Sequence, residues 1–218
     1  MVNLKSSTAH EGMMDNVGTI EFAASTVPKS FNRWLSLRAA TSSSHESLDA
    51  LVMRMRPFES IARYGLFLQC QYQFHGLLRA LYHRPELTVF LPDLAERDRF
   101  ELIEQDLADL GLSAPELADP SDIITSDTPT ALGWLYVVEG SNLGAAFLIK
   151  EARKLGLSES HGARHLAGHP DGRGKHWRSF TDSLNDIDLP PADEARVISG
   201  AIAAFETMRA IVLSRVDS

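Results

Sequence analysis

The sequence predicts an all-α protein in which one layer of helices packs on another, and three observations carry that prediction. From about residue 29 onward, apolar residues recur at spacings of three and four, the repeat of a helix with one buried face. β-branched residues nowhere alternate over the length of a strand. Prolines and clusters of Ser, Asp and Gly fall between the periodic stretches and cut them into helix-sized pieces. With 218 residues, 44% of them hydrophobic, the chain can bury one substantial core and still carry an extension outside it.

Residues 1–28 mix Ser, Thr, Gly and Asn without periodicity and are expected to form a flexible extension ending at Pro28, leaving 29–218 as the folded domain. In "SFNRWLSLRAAT", Phe31, Trp34, Leu35 and Arg38 mark a short amphipathic helix. The Ser/Thr cluster of "TSSSHESLDALVMRMRPF" offers a cap for a second helix, with His45, Leu48, Leu51, Val52 and Met55 on one face and Pro57 as its stop. Residues 60–83 are apolar on most sides, as a central helix would be, and Pro85 ends them. "LAERDRFELIEQDLADLG" sets Leu94, Phe100, Ile103, Leu107 and Leu110 against a charged face, with Gly111 placed to cap its end. Residues 112–130 read as a connection that ends in a cap candidate within "SDTPTALGW". A long helix is expected over 131–155, followed by a Gly- and His-rich loop. The last helices are expected at 177–184 and 192–216, divided by Pro190 and Pro191.

A formal net charge of -8 argues against a surface that wraps nucleic acid, which needs a basic field. The single cysteine, Cys70, lies in an apolar stretch and rules out an intramolecular disulfide or a Cys-rich metal site. The N-terminal stretch has no continuous apolar run and carries Glu11, Asp15 and Glu21, so it does not read as a secretion signal, and no uninterrupted apolar run reaches membrane-span length. A reducing cytoplasmic setting is expected.

One stretch breaks the helical logic. "VVEGSNLGAAF" puts Gly140 and Gly144 in the middle of the long helix, where each costs about 0.5–1 kcal/mol relative to Ala. Either the two glycines let another helix approach closely, or a flat ligand lies against the bare backbone and the helix bends there. His45 admits two readings as well: a packed histidine satisfied by a neighbour, or a metal ligand on a rigid helix. Asp49, one turn on, could hold the proton of its other ring nitrogen. A histidine helix facing a glycine helix would make a flat slot for a metal-bearing ligand. "HGARHLAGH" brings His161, His165 and His169 close in sequence, but Gly162 and Gly168 interrupt any helix and no acidic third ligand is near, so a loop is expected there.

"HESLDALV", "ALGWLYVVEGSNLGAAFLIKEA", "HGARHLA" and "WRSF", in this order, resemble bacterial heme oxygenases, including the biliverdin-forming enzymes associated with bacteriophytochromes. The resemblance spans about residues 30–215. It implies a single-domain helical bundle with heme held between a proximal helix and a kinked distal helix. Matched residue by residue, His45 falls at the iron ligand and Asp49 at its hydrogen-bonding acid. Gly140, Ser141 and Gly144 fall on the distal helix that admits heme and O2, and Arg38 and Arg178 at basic positions that meet the propionates. Phe147 and Phe205 complete the expected heme-binding set. The implied activity is oxidative heme cleavage to biliverdin, Fe(II) and CO, with heme as both substrate and cofactor. Electrons would come from a reductase or ferredoxin, and a bacteriophytochrome could receive the bilin. A non-catalytic heme carrier or sensor is the alternative.

The chain departs from the family pattern twice. Animal-type members place an Asp directly after the first distal glycine, and here that residue is Ser141. The iron-acquisition subgroup rotates heme with an Asn at the position of Arg38 and lysines at those of Met53 and Glu151, and this chain has none of the three. The resemblance therefore implies opening at the α-meso carbon, giving biliverdin IXα.

Overall fold

Helix α1 (Arg33–Arg54) opens the computed structural model, which describes residues 31–216; the extension expected at 1–28 lies outside that range. Asn32 caps α1 by accepting from the Leu35 N–H at 3.1 Å. Contrary to expectation, the Ser/Thr cluster starts no second helix. Thr41 donates to the Leu37 carbonyl at 2.7 Å and Ser42 to that of Ala39 at 3.3 Å, so both hydroxyls bond back into the preceding turn and the helix runs on. It stops, as expected, just ahead of Pro57.

Ser60 caps α2 (Ile61–Leu78), which tightens into a 3-10 turn at Arg79–His83 before Pro85 begins the short α3 (Pro85–Thr88). The helix expected from residue 94 is also divided. Leu94–Arg97 is a 3-10 turn, and Asp98 then accepts from the Phe100 N–H at 2.9 Å to start α4 (Phe100–Asp109). Gly111 ends α4 at φ 64°, with the Leu112 N–H reaching the Leu107 carbonyl at 2.9 Å and its own N–H reaching Ala108 at 3.0 Å. One turn, α5 (Ser121–Ile124), interrupts the connection that follows.

Helix α6 (Thr128–Lys154) is capped by Asp127, which accepts from the Thr130 N–H at 2.9 Å, and continues unbroken through Gly140 and Gly144. Helices α7 (Arg173–Asp186) and α8 (Pro191–Val216) complete the bundle, each starting slightly earlier than expected. Among the described residues there is no strand; isolated bridges from Ser158 to His161 and Gly162 close the loop before α7.

The most extensive packing joins α6 to α8, and α1 packs on α8 as well. Close approach of α6 and α8 is made possible by glycines the sequence reading did not single out. A Cβ on Gly133 would collide with the Val197 carbonyl oxygen and lie 2.6 Å from the Ala201 nitrogen, and one on Gly200 would collide with the Thr130 carbonyl. Both helices are long and apolar enough to cross a membrane; here they pair in the interior. Arg33 ties the start of α1 to the α7–α8 corner through Glu194 and the carbonyls of Leu184 and Ile187.

Two apolar clusters result. The first joins α1, α8 and the front half of α6, and the second joins α4, the loop before α7 and the back half of α6; α2 contributes to both. Every residue of α6 from Ala131 to Glu139 is buried, whereas beyond Gly140 only Ala145, Ile149 and Ala152 are. Gly140 thus marks where α6 leaves one core and runs beside open space before joining the other. Because only backbone atoms face Gly133, Gly133→Ala should destabilise the fold by about 1–3 kcal/mol, read as a lower denaturation midpoint of the chain without ligand.

Candidate functional site

Helices α1 and α6 meet where Tyr136 lies beside Thr41 and Arg38. Burial raises the Tyr136 pKa, and the Thr41 hydroxyl and Arg38 charge oppose that rise. His45 is one turn beyond Thr41 on α1, and Gly140 and Gly144 are one and two turns beyond Tyr136 on α6, so they continue the faces that meet there. Helix α8 packs against both and supplies Phe205, buried, whose ring stands edge-on to His45 at 5.9 Å and 74°.

Beyond that meeting point the walls are not packed. A Cβ on Gly144 would have nothing within 4 Å, and one on Gly140 would meet only the Trp177 ring at 3.5 Å. Phe147, 54% exposed, and Leu143 stand out of α6 beside the two glycines. Close helix packing therefore explains Gly133 and Gly200, not Gly140 and Gly144.

The His45 side chain is 62% exposed and does not point into the core. Its Nδ1 lies 3.2 Å from the Asp49 carboxylate. With Nδ1 donating to Asp49, the lone pair of Nε2 is left free for a metal, the arrangement in which a carboxylate fixes a ligand's tautomer. Arg38 is exposed, its guanidinium 5.7 Å over the Trp34 ring, and Arg178 is exposed on α7. Tyr136, beside Arg38, also contacts the ring of Trp177, the residue before Arg178, at 5.8 Å. Met53 lies two turns beyond His45 on α1, and Glu151, nearer the far end of α6, is paired with Lys154 at 2.7 Å.

Ser141 donates to the Val138 carbonyl at 2.7 Å, which commits its proton and leaves its lone pairs as acceptors. It lines a cavity of about 50 Å³ with Gln71, His75, Arg99, Asn142 and His165. Two buried ring nitrogens there, His75 Nδ1 and His165 Nε2, have no protein partner. Burial, reinforced by His165 and Arg99, pulls the His75 pKa down to about 3, and burial lowers that of His165 against the opposition of Asp106. Asp106 would itself be raised by burial, but the His165 ring at 2.7 Å and the N–H groups of His165 and Arg164 hold it below its ordinary value. The ionised Asp106 keeps the proton on His165 Nδ1, so Nε2 is an acceptor. Such a cavity has room for a few waters, and these two nitrogens call for them.

The sequence reading missed His75, Gln71 and Arg99. The available signal was a Gln and a His one turn apart on an otherwise apolar helix. The three loop histidines go separate ways: His161 faces Asp109 at 3.6 Å, His165 enters the cavity and His169 stacks on His176 at 4.3 Å. Among the described residues no group of three or more His, Cys, Asp or Glu side chains is arranged to hold a metal ion. A lone histidine with a free nitrogen, a wall without side chains and an apolar rim suit a planar ligand that brings its own metal.

Known proteins resemble this chain throughout the described region. The heme oxygenase family model matches residues 34–214. The heme oxygenase PigA of Pseudomonas aeruginosa is 41% identical over 169 residues, covering 78% of this chain and 85% of that protein. The NO- and CO-bound heme oxygenase of Neisseria meningitidis superposes with a TM-score of 0.80 at 42% identity, covering 86% of this chain and 94% of that one. The heme oxygenase of Leptospira interrogans, at 17% identity and a TM-score of 0.72, shares the fold, with 84% of this chain and 100% of that chain covered. With sequence and fold in agreement, the chain belongs to the heme oxygenase family.

Proposed function

We propose that this chain cleaves heme oxidatively with O2 and external electrons, releasing biliverdin, Fe(II) and CO, and that His45 ligates the heme iron. Membership of the heme oxygenase family supports the reaction. One observation carries the residue assignment: bare backbone at Gly144 borders open space, one turn beyond Gly140 with its Trp177 contact, while His45 on α1 keeps one ring nitrogen free. Heme supplies the oxygen chemistry, so the protein's work is to bind, orient and deliver protons.

In this reading residues 29–218 form the catalytic domain. Asp49 orients His45, Phe205 supports its ring, and Phe147 covers the porphyrin face beside Gly144. The glycines leave O2 room over the iron, and Ser141 lies at the mouth of the polar cavity. Proton delivery runs through ordered water held by Ser141, Asn142, His75 and His165, a role the carboxylate next to the first glycine fills in animal-type members. Burial keeps His75 and His165 neutral near pH 7, so their unpartnered ring nitrogens accept hydrogen bonds from those waters and hold them in place, while the water chain itself carries the proton.

Arg38 and Arg178, both exposed, receive the propionates. At the opposite end Met53 offers no charge and the Glu151 carboxylate would repel a propionate, so heme takes the ordinary orientation and opens at the α-meso carbon. The reaction runs in a reducing cytoplasm, with electrons from a reductase or ferredoxin, because the sequence contains no flavin or nucleotide fingerprint. The bilin is of the kind a bacteriophytochrome binds.

Two measurements check these assignments. Wild-type protein should give a Soret band with hemin that His45→Ala loses and added imidazole restores; a wild-type-like band in His45→Ala would remove the ligand assignment. Aerobic turnover with ascorbate or a ferredoxin system should give biliverdin IXα as the main isomer by chromatography. A mainly β or δ product would contradict the roles given to Arg38, Met53 and Glu151.

A further inference from the structure

Glu139, immediately before Gly140, is 2% exposed, and each of its carboxylate oxygens has its own donor. The Tyr82 hydroxyl donates at 2.8 Å to one oxygen and Arg97 Nη1 at 3.1 Å to the other. Burial raises the Glu139 pKa, and Arg97 and the Tyr82 hydrogen bond counter that rise. Arg97, equally buried, reaches further: Nη2 donates to Asp93 at 2.6 Å and to the His176 carbonyl at 3.2 Å, and the guanidinium lies 5.5 Å over the Phe180 ring. Next to His176 is Trp177, stacked on Phe180 at 5.6 Å and 22°. Trp177 is also the side chain that a Cβ at Gly140 would touch.

These contacts form a closed circuit, from Glu139 through Arg97 and His176 to Trp177 and back to Gly140. A buried ion pair is seldom worth more than well-packed apolar residues of the same volume, because desolvation offsets the attraction. It does supply direction: a planar guanidinium with donors at fixed angles holds one geometry where apolar contacts would permit sliding. Successive helical residues lie about 100° apart around the axis, so pinning Glu139 also fixes the rotation of α6 at the point where its glycine face begins.

We propose that Glu139 is a positioning residue for the distal wall: acting through Arg97, it fixes the rotation of α6 and holds Trp177 over Gly140, thereby setting the height of the slot. The proposal rests on the heme reading given above. Removing Glu139 loosens the wall without touching His45.

The experiment uses the full chain carrying Glu139→Gln, Arg97→Lys, Tyr82→Phe or Trp177→Phe, and the double variant Glu139→Gln/Trp177→Phe. Without hemin, Glu139→Gln should move the indole N–H resonance of Trp177, identified by its loss in Trp177→Phe, and leave that of Trp34 in place. With hemin, Glu139→Gln and Arg97→Lys should keep a Soret band and an affinity within about threefold of wild type. The C–O stretching band of their reduced CO complexes should broaden or split as in Trp177→Phe, and the double variant should do no more than the singles. If Glu139→Gln does not fold, Tyr82→Phe, which removes one hydroxyl and leaves the ion pair, should give a smaller change of the same sign. An unmoved Trp177 resonance with a wild-type C–O band, or band changes that add in the double variant, would overturn the proposal even where the melting temperature falls. A wild-type chain without a Soret band would instead overturn the heme reading beneath it.

Discussion

The backbone contact between α6 and α8 at Gly133 and Gly200 is the constraint on which the rest of the molecule depends. It brings two long apolar helices close enough for the front half of α6 to be buried on every side. That burial anchors the helix, and Glu139 with Arg97 and Tyr82 closes the anchored half with directional bonds. Only with the front half held can the next turn of α6 do without packing. Two interior glycines cost roughly 1–2 kcal/mol together relative to alanines, a sum that burying one large apolar side chain offsets.

The site follows from where the two cores part. Helix α6 belongs to both clusters, and its bare stretch is the span between them. Helix α1 meets α6 beside Tyr136, and His45, one turn beyond Thr41 on α1, has the Phe205 ring of α8 edge-on to it. An apolar planar ligand in that gap would cover Phe147 and Leu143 and join the two clusters. The polar cavity around His75 and His165 takes Ser141, Asn142 and Ala145 of the glycine-bearing stretch of α6 into its lining. Arg38 and Arg178 are both exposed to solvent.

The all-α class, the cap at Gly111 and the extent of α6 were legible in the sequence, because apolar spacing and punctuating Gly and Pro act locally. The continuity of α1 was not. Thr41 and Ser42 carry a capping signature, and only their back-bonding to Leu37 and Ala39 shows that the helix continues. Likewise nothing local separates the packing glycine Gly133 from the open glycine Gly144 on the same helix, since the difference is what lies across from each. His45 could be singled out by type and spacing, and the role proposed for it comes from the resemblance. Glu139 and His75 went unremarked because the sequence does not show which way a polar residue on a buried helix turns, or what meets it.

The central claim is that Gly144 is bare for a ligand rather than for a neighbouring helix, and Gly144→Leu tests it directly. Leucine favours helix by about 0.8 kcal/mol or more over glycine and its Cβ has no protein atom within 4 Å there, so denaturation of the chain without hemin should show equal or greater stability. The same protein should bind hemin at least about tenfold more weakly, a loss near 1.4 kcal/mol. A chain destabilised by about 1–3 kcal/mol, as an overpacked helix contact would be, or one that binds hemin like wild type, would contradict the account.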